Sequence, residues 1–228
     1  MQPTYLPWSG YFGLMLSVDL FIILDSVQFT RRSWQQRNKI KTANGPLWLT
    51  VPVLSKGLRD QLIHEVEIDQ NSNFGYTHTK SLEINYKKAK YYNEFSPLVI
   101  PNISKHQSYL SDLTIDLIMA IKQILGINTP IMRSSQLNGI GSKGTLLASL
   151  CSQVGANEYV SPPGSQEYLN ESDAFEKMGI PVRYFTYTHP EYPQLFGEFL
   201  PYMSCIDLVF NCGKESLSVI KNGCGELQ

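Results

Sequence analysis

The chain has 228 residues, of which 43% are hydrophobic and 17% charged, and a formal net charge of −1 at pH 7. This composition is typical of a globular protein that buries a core. The near-neutral charge gives no general attraction to DNA or RNA. Aspartates interrupt the longest apolar runs, so no segment reaches the roughly 18 to 20 apolar residues of a transmembrane helix. We therefore expect a cytoplasmic protein with no DNA partner and no integral membrane segment.

The first half of the chain begins with a loop, a helix and a strand. MQPTYLPWSGYFG combines prolines and aromatic residues and lacks the basic start and apolar run of a signal peptide. YFGLMLSVD predicts a short helix that leads into LFIILD, a buried strand. LWLTVPV predicts a second strand, and the alternating LIHEVEI a half-exposed strand. The spacing then becomes that of amphipathic helices, as in THTKSLEINYKKAKYYNEF and LSDLTIDLIMAIKQILGI.

The second half alternates predicted strands with predicted helices. PIMR, EYVS and PVRYFTY are predicted as strands, and KGTLLASLCSQVGA and DAFEKMGI as helices that end at glycines. Such alternation is typical of a parallel α/β sheet. We predict one α/β domain over residues 1–228, with a Rossmann-like, mostly parallel sheet and an all-helical insertion at about residues 73–126.

A basic segment follows the strand LFIILD. It contains Asp25 at the strand end, then Gln28, Arg37, Asn38 and Lys39. The planar fork of arginine suits phosphate or carboxylate, so the segment is a candidate anion site. A solvated basic loop is the alternative, although a tryptophan among the charges is unusual for such a loop.

The segment SSQLNGIGSKGTL lies between a predicted strand and a predicted helix. Its serines, among them Ser134 and Ser135, and its glycines resemble a phosphate cradle, because a helix N-terminus offers unpaired N–H groups. The glycine spacing does not match the P-loop pattern. An ordinary connection between strand and helix is the alternative.

Two later loops also contain polar candidates at strand ends. Ser161 and Gly164 follow one predicted strand, and His189 and Gln194 follow the next. His189 is a candidate general base because the pKa of histidine lies near the pH at which enzymes operate. His78, in a predicted helix, is the second candidate. For each histidine, a purely structural role is the alternative.

The sequence gives no indication of a metal or a cofactor. HExxH, GxSxG, paired CxxC and acidic clusters are absent. The cysteines lack the close pairing of zinc and redox sites, so we expect free, buried thiols. They are Cys151, Cys205, Cys212 and Cys224.

The chain resembles the WbqC-like protein family along nearly its whole length. The stretches that carry the resemblance are, in order, QPTYLPWSGYF, DLFIILDSVQFTRRSWQQRNKIK, WLTVPV, INYKKAKYY, SSQL, GANEYVSPPGSQEYL, HPEYPQ and SCIDLVFNCG. Members of that family occur in gene clusters for bacterial surface polysaccharide (O-antigen, lipopolysaccharide), and a glycine transferase role has been proposed for them. The resemblance implies transfer of an aminoacyl group, such as glycyl, to a nucleotide-linked amino sugar.

The family pattern places a short apolar strand before the opening loop, whereas this sequence starts at Met1. With such a strand, the loop would lie at a strand's carboxyl end and form the wall of a ligand pocket. The layout resembles nucleotidyltransferase-type Rossmann folds of the pantothenate synthetase kind. Of their His-x-Gly-His signature only the glycine, Gly10, is present, so the ATP chemistry is not carried over.

Specific roles follow for the candidate residues under this reading. Arg37, Asn38 and Lys39 would hold phosphate, and Trp8 or Tyr5 would stack on a base or sugar. His189 would deprotonate the acceptor amine, with His78 next. The other substrate-binding candidates are Gln2, Asp25, Gln28, Ser134, Ser135, Ser161, Gly164 and Gln194.

Two questions stay open at the level of sequence. The aminoacyl donor could be a thioester, an aminoacyl-tRNA or an adenylate, and the neutral net charge argues mildly against tRNA. The rival function is a non-catalytic sugar- or nucleotide-binding protein that supports polysaccharide assembly, because aromatic loops bind sugars without catalysing a reaction.

Overall fold

Helices and short strands alternate along the chain in the computed structural model, which describes residues 1–169 and 171–228. The helices are α1 (Ser9–Leu16), α2 (Phe74–Tyr86), α3 (Tyr92–Ser104), α4 (Leu110–Ile124), α5 (Lys143–Gln153), α6 (Gln166–Leu169), α7 (Ala174–Lys177), α8 (Cys205–Cys212) and α9 (Ser216–Gly223). The strands are β1 (Phe21–Ile23), β2 (Arg37–Thr42), β3 (Gly45–Thr50), β4 (Ile131–Arg133), β5 (Tyr159–Ser161) and β6 (Val182–Tyr184).

The described strands pair two by two. β1 pairs with β4 and β5 pairs with β6, both in parallel, while β2 and β3 form an antiparallel hairpin. Met1 lies beside β1, since its ammonium group donates to the Ile22 carbonyl and its carbonyl accepts from the Leu24 amide. The prediction of an α/β chain with parallel pairing is confirmed. The extended Rossmann-like sheet is not confirmed, and the single domain stays a prediction.

Three helices occupy the region where helical periodicity was expected. In α4 the side chains of Leu113, Leu117 and Ile121 are fully buried, as their spacing predicts. The stretch THTKSLEINYKKAKYYNEF forms two helices, α2 and α3, instead of one. The chain breaks there because the Tyr91 amide donates to the Phe210 carbonyl of α8.

The first half of the chain differs from the sequence analysis in two places. LIHEVEI forms a short 3-10 turn at Ile63–Glu65, because the amides of Ile63 and His64 donate to the carbonyls of Val27 and Asp25. β2 lies within the basic segment, for which the sequence analysis identified no strand and gave a solvated loop as the alternative to an anion site. Its polar residues form a strand because β3 pairs with it along its whole length, from Arg37 opposite Thr50 to Thr42 opposite Gly45.

Buried apolar side chains form one large cluster and one smaller one. The large cluster runs from Tyr5 in the opening loop to Ile220 in α9. The smaller cluster joins α5 and α7 and includes Cys151 and Phe175. All four cysteines are free, as predicted. Among the helices of residues 1–169 and 171–228, none has the length and apolar character needed to cross a bilayer.

A buried ion pair connects the ends of β1 and β4. Parallel pairing places their carboxyl ends side by side, and there the Arg133 Nε donates to Asp25 Oδ2 at 2.7 Å. The Ser135 amide and hydroxyl each donate to the same carboxylate at 2.8 Å, and the Ser134 hydroxyl donates at 3.1 Å. Arg133 also reaches the half-exposed Asp112 of α4. The carboxylate of Asp25 is therefore fully occupied by protein donors.

These donors lower the pKa of Asp25. Burial alone would raise the pKa, but the hydrogen bonds from the Ser135 amide, Arg133 and the Ser135 hydroxyl outweigh it. Because the folded-state pKa lies below the unfolded value of about 3.9, the stabilisation is complete above that pH. It is lost as the pH falls through the lower, folded-state pKa.

We expect Asp25→Ala to lower the free energy of unfolding by roughly 3–5 kcal/mol, because it leaves Arg133 in a largely buried position without its main partner. The matched control is Asp112→Ala, which removes the exposed partner of the same arginine and should cost about 1 kcal/mol or less. Urea unfolding measures both. The difference between wild type and Asp25→Ala should shrink below about pH 4. Equal losses in the two variants would contradict this account.

Candidate functional site

His189 lies in the loop after β6 within a cluster of aromatic rings. Five ring centroids lie between 5.5 and 6.3 Å from the imidazole centroid. The rings belong to Trp8, Tyr187, Tyr192, Phe199 and Tyr202. Tyr202 is 54% exposed and forms the outer side of this aromatic cluster. The cluster thus joins the opening loop to the loops on both sides of residue 190.

Both nitrogens of the His189 ring have defined partners. Nδ1 lies 3.2 Å from the Pro190 carbonyl oxygen, and Nε2 lies 3.2 Å from the Ser9 hydroxyl. A carbonyl oxygen only accepts, so Nδ1 carries the proton and the lone pair of Nε2 accepts from Ser9. Burial lowers the pKa of His189, against the Pro190 bond, which raises it. The imidazole is therefore neutral at pH 7 and able to take a proton.

Backbone contacts fix the position of Ser9. Ser9 is the first residue of α1, and the Tyr11 amide donates to the Trp8 carbonyl in the first turn. Trp8 forms an antiparallel bridge with Ser204, and the Cys205 amide donates to the Pro7 carbonyl. The start of α8 therefore holds the start of α1 against the His189 loop.

A buried carboxylate lies behind the aromatic cluster. Asp207 of α8 is fully buried and accepts from the hydroxyls of Tyr86 and Tyr192 at 2.7 and 2.9 Å and from Gln194 Nε2 at 2.8 Å. Burial raises the pKa of Asp207, and these donors and the charge of Lys41 act in the opposite direction. Gln194, predicted to bind substrate, thus holds Asp207 and the Leu200 backbone. Sequence reasoning missed Asp207, and its only signal was an aspartate inside the apolar run SCIDLVF.

The hairpin of β2 and β3 presents an exposed cation–aromatic face. The guanidinium carbon of Arg37 lies 4.3 Å from the Trp48 ring centroid, and Lys39 Nζ lies 5.8 and 5.7 Å from the Trp34 and Trp48 centroids. The two indoles contact each other at 5.3 Å and are 46% and 42% exposed. Asn38 points to the other side, where it is buried and donates to the Leu6 carbonyl. Arg37 and Lys39, but not Asn38, are therefore available to a ligand.

One backbone bond joins this face to the aromatic cluster. The Ser204 amide donates to the Lys39 carbonyl at 2.8 Å, and Ser204 also bridges to Trp8. The backbone of β2 and the His189 cluster are thus connected through a single residue. A ligand with a phosphate on β2 and a reactive group at His189 would have to span this junction.

The other candidates form separate groups. Asp25, Ser134 and Ser135 contact one another at the strand ends described above. Gln28 donates to the Arg59 carbonyl at 2.9 Å, and Gln2 accepts from Gln35. No hydrogen bond or ring contact of the described residues joins any of these five to His189. The arrangement therefore favours a site at His189 and the β2–β3 hairpin over one shared by all candidates.

Two candidate residues pair with each other in the core. The Tyr5 hydroxyl lies 2.8 Å from His78 Nδ1, and the two side chains are 0% and 5% exposed. Burial lowers the pKa of His78 to about 4, against a hydrogen bond at Thr50, which raises it. The position of this pair is that of core residues, and a ligand could reach it only after a rearrangement.

Ser161 and Gly164 lie at the end of β5. Ser161 is fully buried, and its hydroxyl is hydrogen-bonded to Ser165 and to Tyr159. Gly164 is exposed, and a methyl group at its Cα would have open space around it. No contact of the described residues links this pair directly to His189, so their predicted role in binding stays a prediction.

Two surface grooves lie elsewhere. One has a volume of about 660 Å3 and runs between α3 and α4, beside Pro97 and Met119. The other has a volume of about 950 Å3 and opens at the start of α5, where Lys143 and Glu171 form an exposed ion pair. Neither groove is lined by His189. Within residues 1–169 and 171–228, no group of three or more His, Cys, Asp or Glu side chains is placed to hold a metal ion.

Gly10 allows Trp8 to pack against the first turn of α1. A Cβ at Gly10 would lie 2.2 to 2.6 Å from three carbon atoms of the Trp8 ring. We expect Gly10→Ala to cost roughly 1–3 kcal/mol through overpacking, despite about 1 kcal/mol gained in helix propensity. Thermal unfolding measures the loss. Gly164→Ala, which meets no atom within 4 Å, is the control and should be nearly neutral. Equal stability of the two variants would mean that Trp8 packs elsewhere.

Comparisons with known proteins identify the family of this chain. The family model described as "WbqC-like protein family" matches residues 2–219. The uncharacterized protein Rv1507c of Mycobacterium tuberculosis (strain ATCC 25618 / H37Rv) is 40% identical over 218 residues, which cover 95% of this chain and 94% of the relative. No solved structure matches. The match over nearly the whole length shows that the chain belongs to the WbqC-like protein family.

Proposed function

We propose that the protein is an aminoacyl transferase, glycyl by family resemblance, that acts on the amine of a nucleotide-linked amino sugar in the synthesis of bacterial surface polysaccharide. One observation carries the proposal. His189 is neutral, its Nδ1 proton is held by the Pro190 carbonyl, and its Nε2 lone pair is directed at a hydroxyl inside an aromatic cluster. This is the arrangement of a general base for acyl transfer.

Acyl transfer to an amine needs such a base. An ammonium group has no lone pair with which to attack a carbonyl carbon, so a proton must leave the acceptor nitrogen. A neutral imidazole accepts that proton near pH 7, and a positioned base of this kind contributes about a hundredfold or more to the rate. The surrounding rings limit access of water, which would otherwise compete with the amine for the acyl group.

The β2–β3 hairpin supplies the binding half of the proposal. Arg37 and Lys39 are placed to hold the phosphates of a nucleotide, because guanidinium and ammonium groups form charge-assisted hydrogen bonds to phosphate. The exposed indoles of Trp34 and Trp48 are better placed than Trp8 and Tyr5 to stack on the base. Tyr5 is fully buried, and the ring of Trp8 is covered by Gly10, His189 and its aromatic neighbours.

The donor belongs to one of three classes: an aminoacyl thioester, an aminoacyl-tRNA or an adenylate. The net charge of −1 gives no general attraction to tRNA. A cytoplasmic location is part of the proposal, because nucleotide-linked sugars are the substrates. The rival function, binding without catalysis, is favoured by the exposed Trp34–Trp48 pair, since aromatic faces of this kind bind sugars and bases unaided.

Two measurements separate transfer from binding alone. Nucleoside-diphosphate amino sugars should raise the melting temperature of the protein, since a ligand that binds the folded state stabilises it. Mass spectrometry with glycyl thioester, glycyl-tRNA or glycine with ATP should then reveal the glycylated sugar. Stabilisation without a product from any of the three donors would favour the binding protein.

Substitutions at the two halves of the site should change different kinetic parameters. We expect Arg37→Ala to raise KM about ten- to a hundredfold, because a charge-assisted bond to phosphate is worth roughly 1.5–3 kcal/mol. His189→Gln should lower kcat on the order of a hundredfold or more and leave KM nearly unchanged.

Matched controls are available for both substitutions. Arg183→Ala removes an exposed arginine of β6, and His106→Gln removes an exposed histidine beyond α3. Both should leave kcat and KM near the wild-type values. Full activity of His189→Gln would remove His189 as the base, and His78 would be the next residue to substitute.

A further inference from the structure

Ser9 is the direct partner of the proposed base. Its Oγ lies 3.2 Å from His189 Nε2, and the opposite nitrogen of the ring is held by the Pro190 carbonyl at 3.2 Å. A hydroxyl, a histidine and a group that orients the histidine form the arrangement that activates a nucleophile. Within the described residues, no other serine hydroxyl is hydrogen-bonded to a histidine ring.

The geometry shows which proton His189 is placed to remove. Nδ1 is already protonated and bonded to a carbonyl, so Nε2 is the only basic nitrogen of the ring. The lone pair of Nε2 points to the Ser9 hydroxyl. An acceptor amine could use the same nitrogen only when Ser9 has given up that contact. Deprotonation of Ser9 therefore comes before deprotonation of an amine.

We propose that Ser9 is a catalytic nucleophile that holds the acyl group as an ester between donor and acceptor. This inference rests on the proposed acyl transfer and adds its covalent intermediate. Oγ attacks the carbonyl carbon of an aminoacyl ester or thioester, and its proton passes to His189 Nε2. The bond from the carbonyl carbon to the donor's oxygen or sulfur then breaks, and the leaving group takes that proton.

The second half of the reaction returns the enzyme to its starting state. The amine of the acceptor attacks the carbonyl carbon of the Ser9 ester and gives a proton to His189 Nε2. The new C–N bond forms, the ester C–O bond breaks, and Ser9 Oγ takes the proton back from His189. Bonds and protons balance over the two halves, and no oxidant or reductant is needed.

The surroundings of Ser9 suit such an intermediate. Ser9 is the first residue of α1, where the amides that precede Tyr11 come before the first carbonyl of the helix and can stabilise negative charge on a carbonyl oxygen. Ser9 is only 3% exposed, so a donor reaches its hydroxyl only after the aromatic cluster around His189, whose outer ring Tyr202 is 54% exposed, has moved aside. An acyl ester placed there is shielded from water until the acceptor enters.

The native thiols do not compete with Ser9 as nucleophiles. Burial raises the pKa of Cys151 and of Cys212 to about 11, and it also raises the pKa values of Cys205 and Cys224. A thiol must be deprotonated to attack a carbonyl carbon, so these four are less reactive near pH 7 than a thiol with an ordinary pKa. The protein therefore has a low background in experiments that introduce a cysteine.

A fluorophosphonate probe tests the nucleophile without a natural donor. Ser9 Oγ would displace fluoride from phosphorus and form a stable phosphonate ester, which peptide mapping locates. We expect labelling at Ser9, none there in Ser9→Ala, and a rate at least about a hundredfold lower in His189→Gln. The control is Ser17→Ala at the other end of α1, where the hydroxyl donates to the Gly13 carbonyl. It should be labelled like wild type.

Ser9→Cys keeps the inference testable if Ser9→Ala does not fold. The new thiol beside His189 should react with iodoacetamide faster than the four native cysteines, and His189→Gln in that background should slow the reaction. Glycine p-nitrophenyl ester should give a burst of p-nitrophenol and a glycyl adduct on Ser9 in the wild-type protein.

The outcomes distinguish this inference from the proposed function. Two results would contradict the role of Ser9 as nucleophile and leave the proposed transferase function unaffected. One is glycyl transfer by Ser9→Ala at the wild-type rate, and the other is labelling of Ser9 that is unchanged in His189→Gln. Labelling of Ser9 that depends on His189, in a protein that transfers no acyl group to any amino sugar, would support the nucleophile and overturn the proposed function. Absence of both fluorophosphonate labelling and the glycyl adduct at Ser9 would contradict the role of Ser9 as nucleophile.

Discussion

The backbone junction at Ser204 is the contact on which the candidate site depends. Through it the start of α8 meets both the opening loop and β2, since Ser204 bridges to Trp8 and donates to the Lys39 carbonyl. Residues that are far apart in sequence thereby become neighbours: a serine at position 9, a lysine at 39 and a histidine at 189. These are short backbone contacts in a buried segment, so they resist displacement better than contacts between exposed side chains would.

Behind this junction, Asp207 connects the helices to the loop that carries His189. A buried carboxylate is costly unless its oxygens are bonded, and here Tyr86, Tyr192 and Gln194 provide the donors. Tyr192 also stacks on the His189 ring, so the hydrogen bonds around Asp207 help to hold the ring of the proposed base in position. Buried polar networks of this kind are stabilising only when each member is satisfied, and removal of one donor would leave the buried carboxyl group with fewer hydrogen bonds than it can accept.

The sequence predicted elements with strong local signals and missed those that depend on distant partners. The apolar run of β1 and the spacing of Leu113, Leu117 and Ile121 in α4 were sufficient to place both elements. LIHEVEI alternates like a strand, yet contacts with residues 25 and 27 turn it into a 3-10 turn. His189 was found because a histidine in a strand-end loop is a recognisable signal. Ser9 and Asp207 were not singled out, because their chemistry depends on partners that the local sequence does not show: His189 lies 180 positions from Ser9, and Tyr86 lies 121 positions from Asp207.

The placement of the tryptophans has an optical consequence. The chain contains three of them. Trp8 packs on Gly10 beside His189, and Trp34 and Trp48 form the cation–aromatic face. Indole emission is sensitive to polarity and to neighbouring charges, and here every indole lies at the candidate site. Tryptophan emission, excited at wavelengths that tyrosine does not absorb, is thus a signal from that region alone, so occupancy of the site can be followed by spectroscopy in the unlabelled, unmutated chain.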